Sequence, residues 1–162
     1  MSEANFIQGE LSATRHRVAV IASRFNEFVV SGLVKGAIGA WEKHGGNAAD
    51  LLVARVPGAF ELPVVARKLA ASGQFQAVVA LGCVIRGDTA HFEYVAGECA
   101  RGLQNVAVDT GVPVVFGVLT TETVEQALQR AAPGGSNKGG EAMETALEMA
   151  DLLEKLGAGN GG

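Results

Sequence analysis

Cysteine, histidine and basic runs are scarce in this chain, and each shortage removes a class of function. Only two cysteines, Cys83 and Cys99, stand among 162 residues, without C-x-x-C or metal-ligand spacing. That argues against a disulfide framework, a redox pair or a zinc site, and suits a reducing, cytoplasmic home. The three histidines, His16, His44 and His91, are too scattered to suggest a metal site, so no metal is expected. Acids outnumber bases by 17 to 13 and no Lys/Arg cluster occurs, so no nucleic-acid footprint is visible. Apolar runs are strand-sized, far below the ~20 residues of a membrane-spanning helix. The stretch Met1–Leu11 is polar and carries acids, unlike a secretory leader. Walker motifs, dinucleotide fingerprints and nucleophile elbows are also missing.

What is present suits a chain that buries much of itself: 48% apolar and 19% charged residues. The length is that of one domain, 1–162, with 1–12 as an N-terminal arm and 157–162 as a flexible, glycine-rich tail. In the arm, Phe6-Ile7 can hardly fold locally: it either frays or adds as a strand to a sheet, a neighbouring subunit's included. Arg17–Ala22, Leu51–Val56, Ala77–Ile85 and Pro113–Leu119 read as core strands. Helical patterns follow them at about 27–44, 59–72, 90–109 and 122–131. A last helix at about 141–156 comes after a glycine-rich break at 133–140. Asn26 is a plausible cap for the first helix, and Asp88 or Thr89 for the third. His16 and His44 read as solvent or helix-end residues. Four alternations of strand and helix predict an α/β fold, a flavodoxin-like three-layer α/β/α sandwich on a four-stranded parallel sheet.

In such a sheet ligands gather at the carboxyl ends of the strands. That edge would collect Ser23–Asn26, Pro57–Glu61, Cys83–His91 and Thr120-Thr121. Phe25 and Phe60 either pack locally or stack on a flat ring. Gly87-Asp88-Thr89 either begins a helix in the ordinary way or cradles a phosphate, with Arg86 or Arg130 as the cation. Arg86 reads equally as a surface charge or an interface salt bridge. His91, at the same edge, is placed for packing or for proton transfer. The residues alone point to a small-molecule site for an aromatic or phosphorylated ligand, and no further.

Longer strings carry a resemblance. Arg24-Phe25-Asn26, Val56-Pro57-Gly58-Ala59-Phe60-Glu61-Leu62-Pro63, Gly82–Tyr94, Pro113–Thr120, Glu125–Leu128 with Arg130, and Asn137-Lys138-Gly139 resemble lumazine synthases, in order and spacing, from about residue 5 to 155. The resemblance implies a transferase of riboflavin biosynthesis that needs no cofactor. It would condense 5-amino-6-(D-ribitylamino)uracil with 3,4-dihydroxy-2-butanone 4-phosphate, releasing 6,7-dimethyl-8-ribityllumazine, phosphate and water. It further implies that Phe25 stacks on the pyrimidine, with Asn26 in support, and that Ala59, Phe60, Glu61, Cys83, Val84 and Ile85 hold the uracil and ribityl groups. Asp88 and Thr89 would hold the butanone phosphate, and His91 would move the proton. Phe116, Arg130 and Lys138 would arrive from the adjacent subunit.

Two departures bear on the site. Cys83 stands where the family often has threonine, and Pro133-Gly134-Gly135-Ser136 replaces a stretch that is often more basic. The resemblance implies a homopentamer. The arm, and the absence of added residues between the last two helices, favour a 60-subunit icosahedral shell of twelve pentamers. Riboflavin synthase is a partner that this reading admits. The rival class is a non-catalytic lumazine or flavin binder or a shell-forming paralogue, which would need neither His91 nor the phosphate residues.

Overall fold

A computed structural model describes residues 3–160, with side chains as far as Gly157. Four parallel strands form one sheet: Val18–Ser23 (β1), Leu52–Val56 (β2), Ala77–Ile85 (β3) and Val114–Thr121 (β4). Their order is β2-β1-β3-β4. The helices are Glu27–Lys43 (α1), Leu62–Ala71 (α2), His91–Thr110 (α3), Val124–Arg130 (α4) and Lys138–Asn160 (α5). This is the flavodoxin-like arrangement expected, and its strand order reverses direction between β1 and β3.

Every residue of β1 is buried, because helices cover both faces of the sheet. Val18, Val20 and Ala22 face a core shared with Leu33 and Val30 of α1 and Met143 and Leu147 of α5. Ile21 faces the opposite core, with Leu62 of α2 and Cys99 and Leu103 of α3. Each fully buried side chain of Leu or Ile size contributes about 1.5–3 kcal/mol of transfer free energy. The two cores hold the strand ends rigidly, which is what a site at their edge requires.

Two sequence expectations change along the last helix, one at the glycine-rich break and one at the tail. The helix starts at Lys138, because Asn137 closes the turn ahead of it and its side-chain oxygen accepts from Gly139 and Gly140 N–H. Gly139 lies inside the helix, where a Cβ would collide with the Leu33 carbonyl of α1. Here glycine serves close helix packing instead of a break. At its other end α5 continues through Gly157–Asn160 of the expected tail, while Gly161 and Gly162 lie outside the described residues. Residues 3–12 form no strand within this chain, and Phe6 and Ile7 are exposed.

His16 is not a solvent residue. It is buried, with Nε2 3.4 Å from Asp151 Oδ1 and Nδ1 3.5 Å from Glu154 Oε2. Arg15 pairs with the same two carboxylates, and Lys155 lies 3.1 Å from Asp151. The Glu10 N–H donates to Asp151 Oδ2 at 2.8 Å, so the root of the arm is tied to the end of α5. That backbone bond is the main reason the Asp151 carboxyl is held down to about 2. His44 is likewise paired, 2.7 Å from Glu144 of α5.

Candidate active site

The crevice between β1 and β3 is spanned by one side chain. Asn26 follows β1 in the left-handed conformation (φ 63°, ψ 42°), a region that asparagine tolerates better than most residues. Its carbonyl accepts from Val29 and Val30 N–H and so starts α1, but its side chain does not cap. Instead Asn26 Nδ2 donates to the Cys83 carbonyl at 2.9 Å, across the crevice. Arg24 and Phe25 N–H groups donate to the Val56 and Pro57 carbonyls at 2.8 and 3.0 Å, tying the same loop to the end of β2. Phe25 is thus fixed through its backbone while the residue stands 71% exposed.

Beyond β2, Ala59–Glu61 form a 3-10 turn that runs directly into α2, with Pro63 in the first turn. Ala59 is buried beneath, and the Phe60 ring is 58% exposed. From β3, Cys83 is buried with its thiol pushed up to about 11 by burial, while Val84 and Ile85 are half-buried. Ser23, at the end of β1, is buried, and its hydroxyl has no partner among the described residues. Gly82 lies beside it, where an added Cβ would stand 3.1 Å from Ser23 Oγ.

The loop Arg86–Ala90 connects β3 to α3 and is exposed throughout. Neither Asp88 nor Thr89 is the helix cap; that position is Ala90, without a side-chain bond. Thr89 Oγ1 accepts weakly from His91 N–H at 3.4 Å. The amides of Gly87, Asp88 and Thr89 donate to no acceptor among the described residues, leaving them free for an anion. The His91 side chain is exposed in the first turn of α3, directly beyond those amides. Arg86 is already paired: Nε donates to Glu122 and Nη1 to Glu93, each at 3.1 Å, and the guanidinium lies 4.7 Å from the centroid of the Phe92 ring. These partners, Glu93 first, raise the Arg86 pKa further above its ordinary value.

The expected residues therefore fall into two groups. Phe25, Asn26, Ala59, Phe60, Glu61, Cys83, Val84, Ile85, Asp88, Thr89 and His91 share the carboxyl edge of the sheet. Phe116, Arg130 and Lys138 lie elsewhere, together lining a cavity of about 350 Å³ between β4 and α5. Phe116 pairs in register with Ala80, five residues short of the Ile85–Thr121 pair at the edge. At ~3.3 Å per residue that is ~16 Å from the end of β3. Lys138 Nζ is 3.1 Å from Glu141 Oε1, and Arg130 Nη1 donates to the Gln126 carbonyl at 3.0 Å.

Sequence reasoning missed the Asn26–Cys83 bond, the Ser23 hydroxyl and the carboxylates around Arg86. The Asn26–Cys83 and Arg86–Glu122 contacts join residues 57 and 36 positions apart, and no local pattern announces them. It also missed the capping box Thr123-x-x-Gln126 at the start of α4, whose signature was readable.

Among the described residues, no cluster of His, Cys, Asp or Glu could hold a metal ion, and no helix is long and apolar enough to cross a membrane. The chemistry available is that of exposed rings, free amides, the carboxylates of Glu61 and Asp88 and one imidazole, arranged on a rigid strand edge. A family model for 6,7-dimethyl-8-ribityllumazine synthase matches residues 15–154 of 162: the chain belongs to that family.

Proposed function

We propose that this chain condenses 5-amino-6-(D-ribitylamino)uracil with 3,4-dihydroxy-2-butanone 4-phosphate in riboflavin biosynthesis. The observation that carries this reading is the gathering of Phe25, Phe60, Glu61, the free loop amides and His91 at one strand edge of a chain that belongs to this family. Phe25 stacks on the pyrimidine, Asn26 holds that loop in place, and Ala59–Glu61 with Cys83–Ile85 bind the uracil and the ribityl chain. Asp88-Thr89 and their amides receive the phosphate of the ketone.

One amine of the uracil attacks the ketone carbon and water leaves as the imine forms. Loss of phosphate follows, and the second amine closes the ring with loss of further water. His91 passes protons between the amine, the carbonyl oxygen and the leaving group. Holding both substrates together lowers the barrier by roughly 7–11 kcal/mol, and a placed acid–base group adds ~10²–10⁴-fold.

The second group, Phe116, Arg130 and Lys138, completes the site of a neighbouring copy. Support comes from geometry, because ~16 Å of β-strand separates Phe116 from the carboxyl edge of its own sheet. Arg130 then supplies the cation that the loop itself lacks, since Arg86 is engaged by Glu93 and Glu122. The assembly is a homopentamer, extended to a 60-subunit shell in which Phe6-Ile7 of each arm adds to an adjacent sheet. The exposed Phe6, Ile7 and Leu52 on the edge strand β2 suit that pairing.

Mixing the two substrates with the purified protein and following the fluorescence of the lumazine product tests the reaction. Turnover that needs both substrates is expected. Binding of the uracil substrate without turnover would favour the non-catalytic reading. Complementation between His91→Ala and Arg130→Ala chains tests the shared site, because mixed assemblies regain intact sites only if the two residues come from different subunits.

A further inference from the structure

Between β3 and α3 the loop Gly87–Ala90 has almost nothing of its own to hold it. Its residues are exposed, and its helix lacks a side-chain cap. Among the described residues, and apart from bonds within α3, its far end is held by the 3.4 Å contact from His91 N–H to Thr89 and a 3.0 Å bond from Glu93 N–H to the Ala90 carbonyl. Yet the residue immediately before the loop reaches over it. Arg86 is fixed at its backbone by a 2.9 Å bond from its N–H to the Thr121 carbonyl at the end of β4. Its guanidinium then divides between Glu122, beyond β4, and Glu93, in the first turn of α3, at 3.1 Å each, and lies against Phe92. One side chain thus joins both ends of the loop to the neighbouring strand.

We propose that Arg86 is a positioning residue: it staples the Gly87–Ala90 loop into the shape that receives the phosphate-bearing substrate and sets the place of His91. This rests on the substrate assignment above. Both carboxylates are well exposed, so these ion pairs add little to global stability. Their effect is local. A planar guanidinium donates in two fixed directions at once, which a lysine ammonium does not reproduce.

The test compares wild type with R86Q, R86K and the triple variant R86Q/E93Q/E122Q, varying each substrate in turn. In R86Q the KM for the phosphorylated ketone rises about 10-fold while the KM for the uracil stays within about twofold, since small misplacements act only on the groups they carry. R86K falls between the two. The triple variant, which removes the excess negative charge but not the need for a staple, stays impaired for the ketone.

Wild-type ketone KM in R86Q, an equal rise for both substrates, or full recovery in the triple variant would each overturn the proposal. Hydrogen exchange gives a readout independent of turnover. The amides of 87–92 exchange faster in R86Q while those of β3 do not change; unchanged exchange in 87–92 would count against the staple. A wild-type protein without turnover would sink the assigned reaction, whereas faster exchange in R86Q would still support the staple.

Discussion

His16 and His91 sit at opposite edges of the same sheet and are built in opposite ways. His16 lies ahead of β1 with its side chain 1% exposed, between two carboxylates that also bind Arg15 and, at Asp151, Lys155. His91 lies beyond β3, exposed, at the mouth of a loop with free amides. A histidine enclosed in charged partners fastens segments together, here the root of the arm to α5. One left open beside unpaired loop amides suits the proton transfer proposed for His91. The number of partners, more than the residue type, separates the structural imidazole from the one proposed to do chemistry.

The strongest way to break this contrast is to remove each centre in turn. His91→Ala should lower kcat by roughly 10²–10⁴-fold with no change in Tm, because the imidazole makes no hydrogen bond or ion pair among the described residues. Steady-state kinetics beside a melting curve would read both, and a fall in Tm would make His91 structural after all. Some turnover should persist, since bringing the substrates together does much of the work.

Asp151→Ala should do the reverse. It strands His16, Arg15 and Lys155 around a missing carboxylate, at a cost of about 3 kcal/mol. In a chain of this length that is a Tm lower by roughly 6–12 °C. The kcat of the folded fraction should be unchanged, and an equal loss of kcat would mean the two edges communicate.

A third test uses pH. The Asp151 carboxyl has a folded value of about 2 against an ordinary 3.8. A depressed folded value means the stabilisation is complete above the unfolded value and drains away as the carboxyl is protonated. Denaturant midpoints should therefore fall as pH drops from about 4 toward 2 in wild type. Asp151→Asn should start lower and show a shallower decline, and parallel curves would remove Asp151 from acid unfolding.

The smallest effect belongs to Ser23, a buried polar group with neither the partners of His16 nor the openness of His91. Ser23→Ala removes an unpaired hydroxyl and should change stability by no more than ~1 kcal/mol, in the stabilising direction. A clear loss measured by chemical denaturation would show that the hydroxyl is satisfied by water and belongs with the structural groups.

How far the sequence could be read follows the range of the forces involved. Ala77–Ile85 was legible to the residue because its unbroken apolar run has one use, a strand covered on both faces. The candidate site was legible as a set of strand ends, since topology alone brings those ends to one edge. The roles of Asn26, His16 and Gly139 were not. Each depends on a partner far along the chain: the Cys83 carbonyl, Asp151, and the backbone of Leu33. Short-range patterns report propensity: they placed Asn26 at the start of α1 but not its side chain in a bridge, and they assigned a solvent residue and a break where tertiary contacts imposed a buried ion cluster and a helix contact.

One consequence of the Asn26 bridge concerns substitution at position 83. The bond across the crevice ends on a main-chain carbonyl, while the Cys83 side chain turns inward to the core of α1 and α5. Recognition at this point is written in the backbone, which every amino acid carries. A thiol in place of the family's frequent threonine is then a question of filling volume, not of losing a contact. The position is free to drift while the opening between the two strands keeps its width.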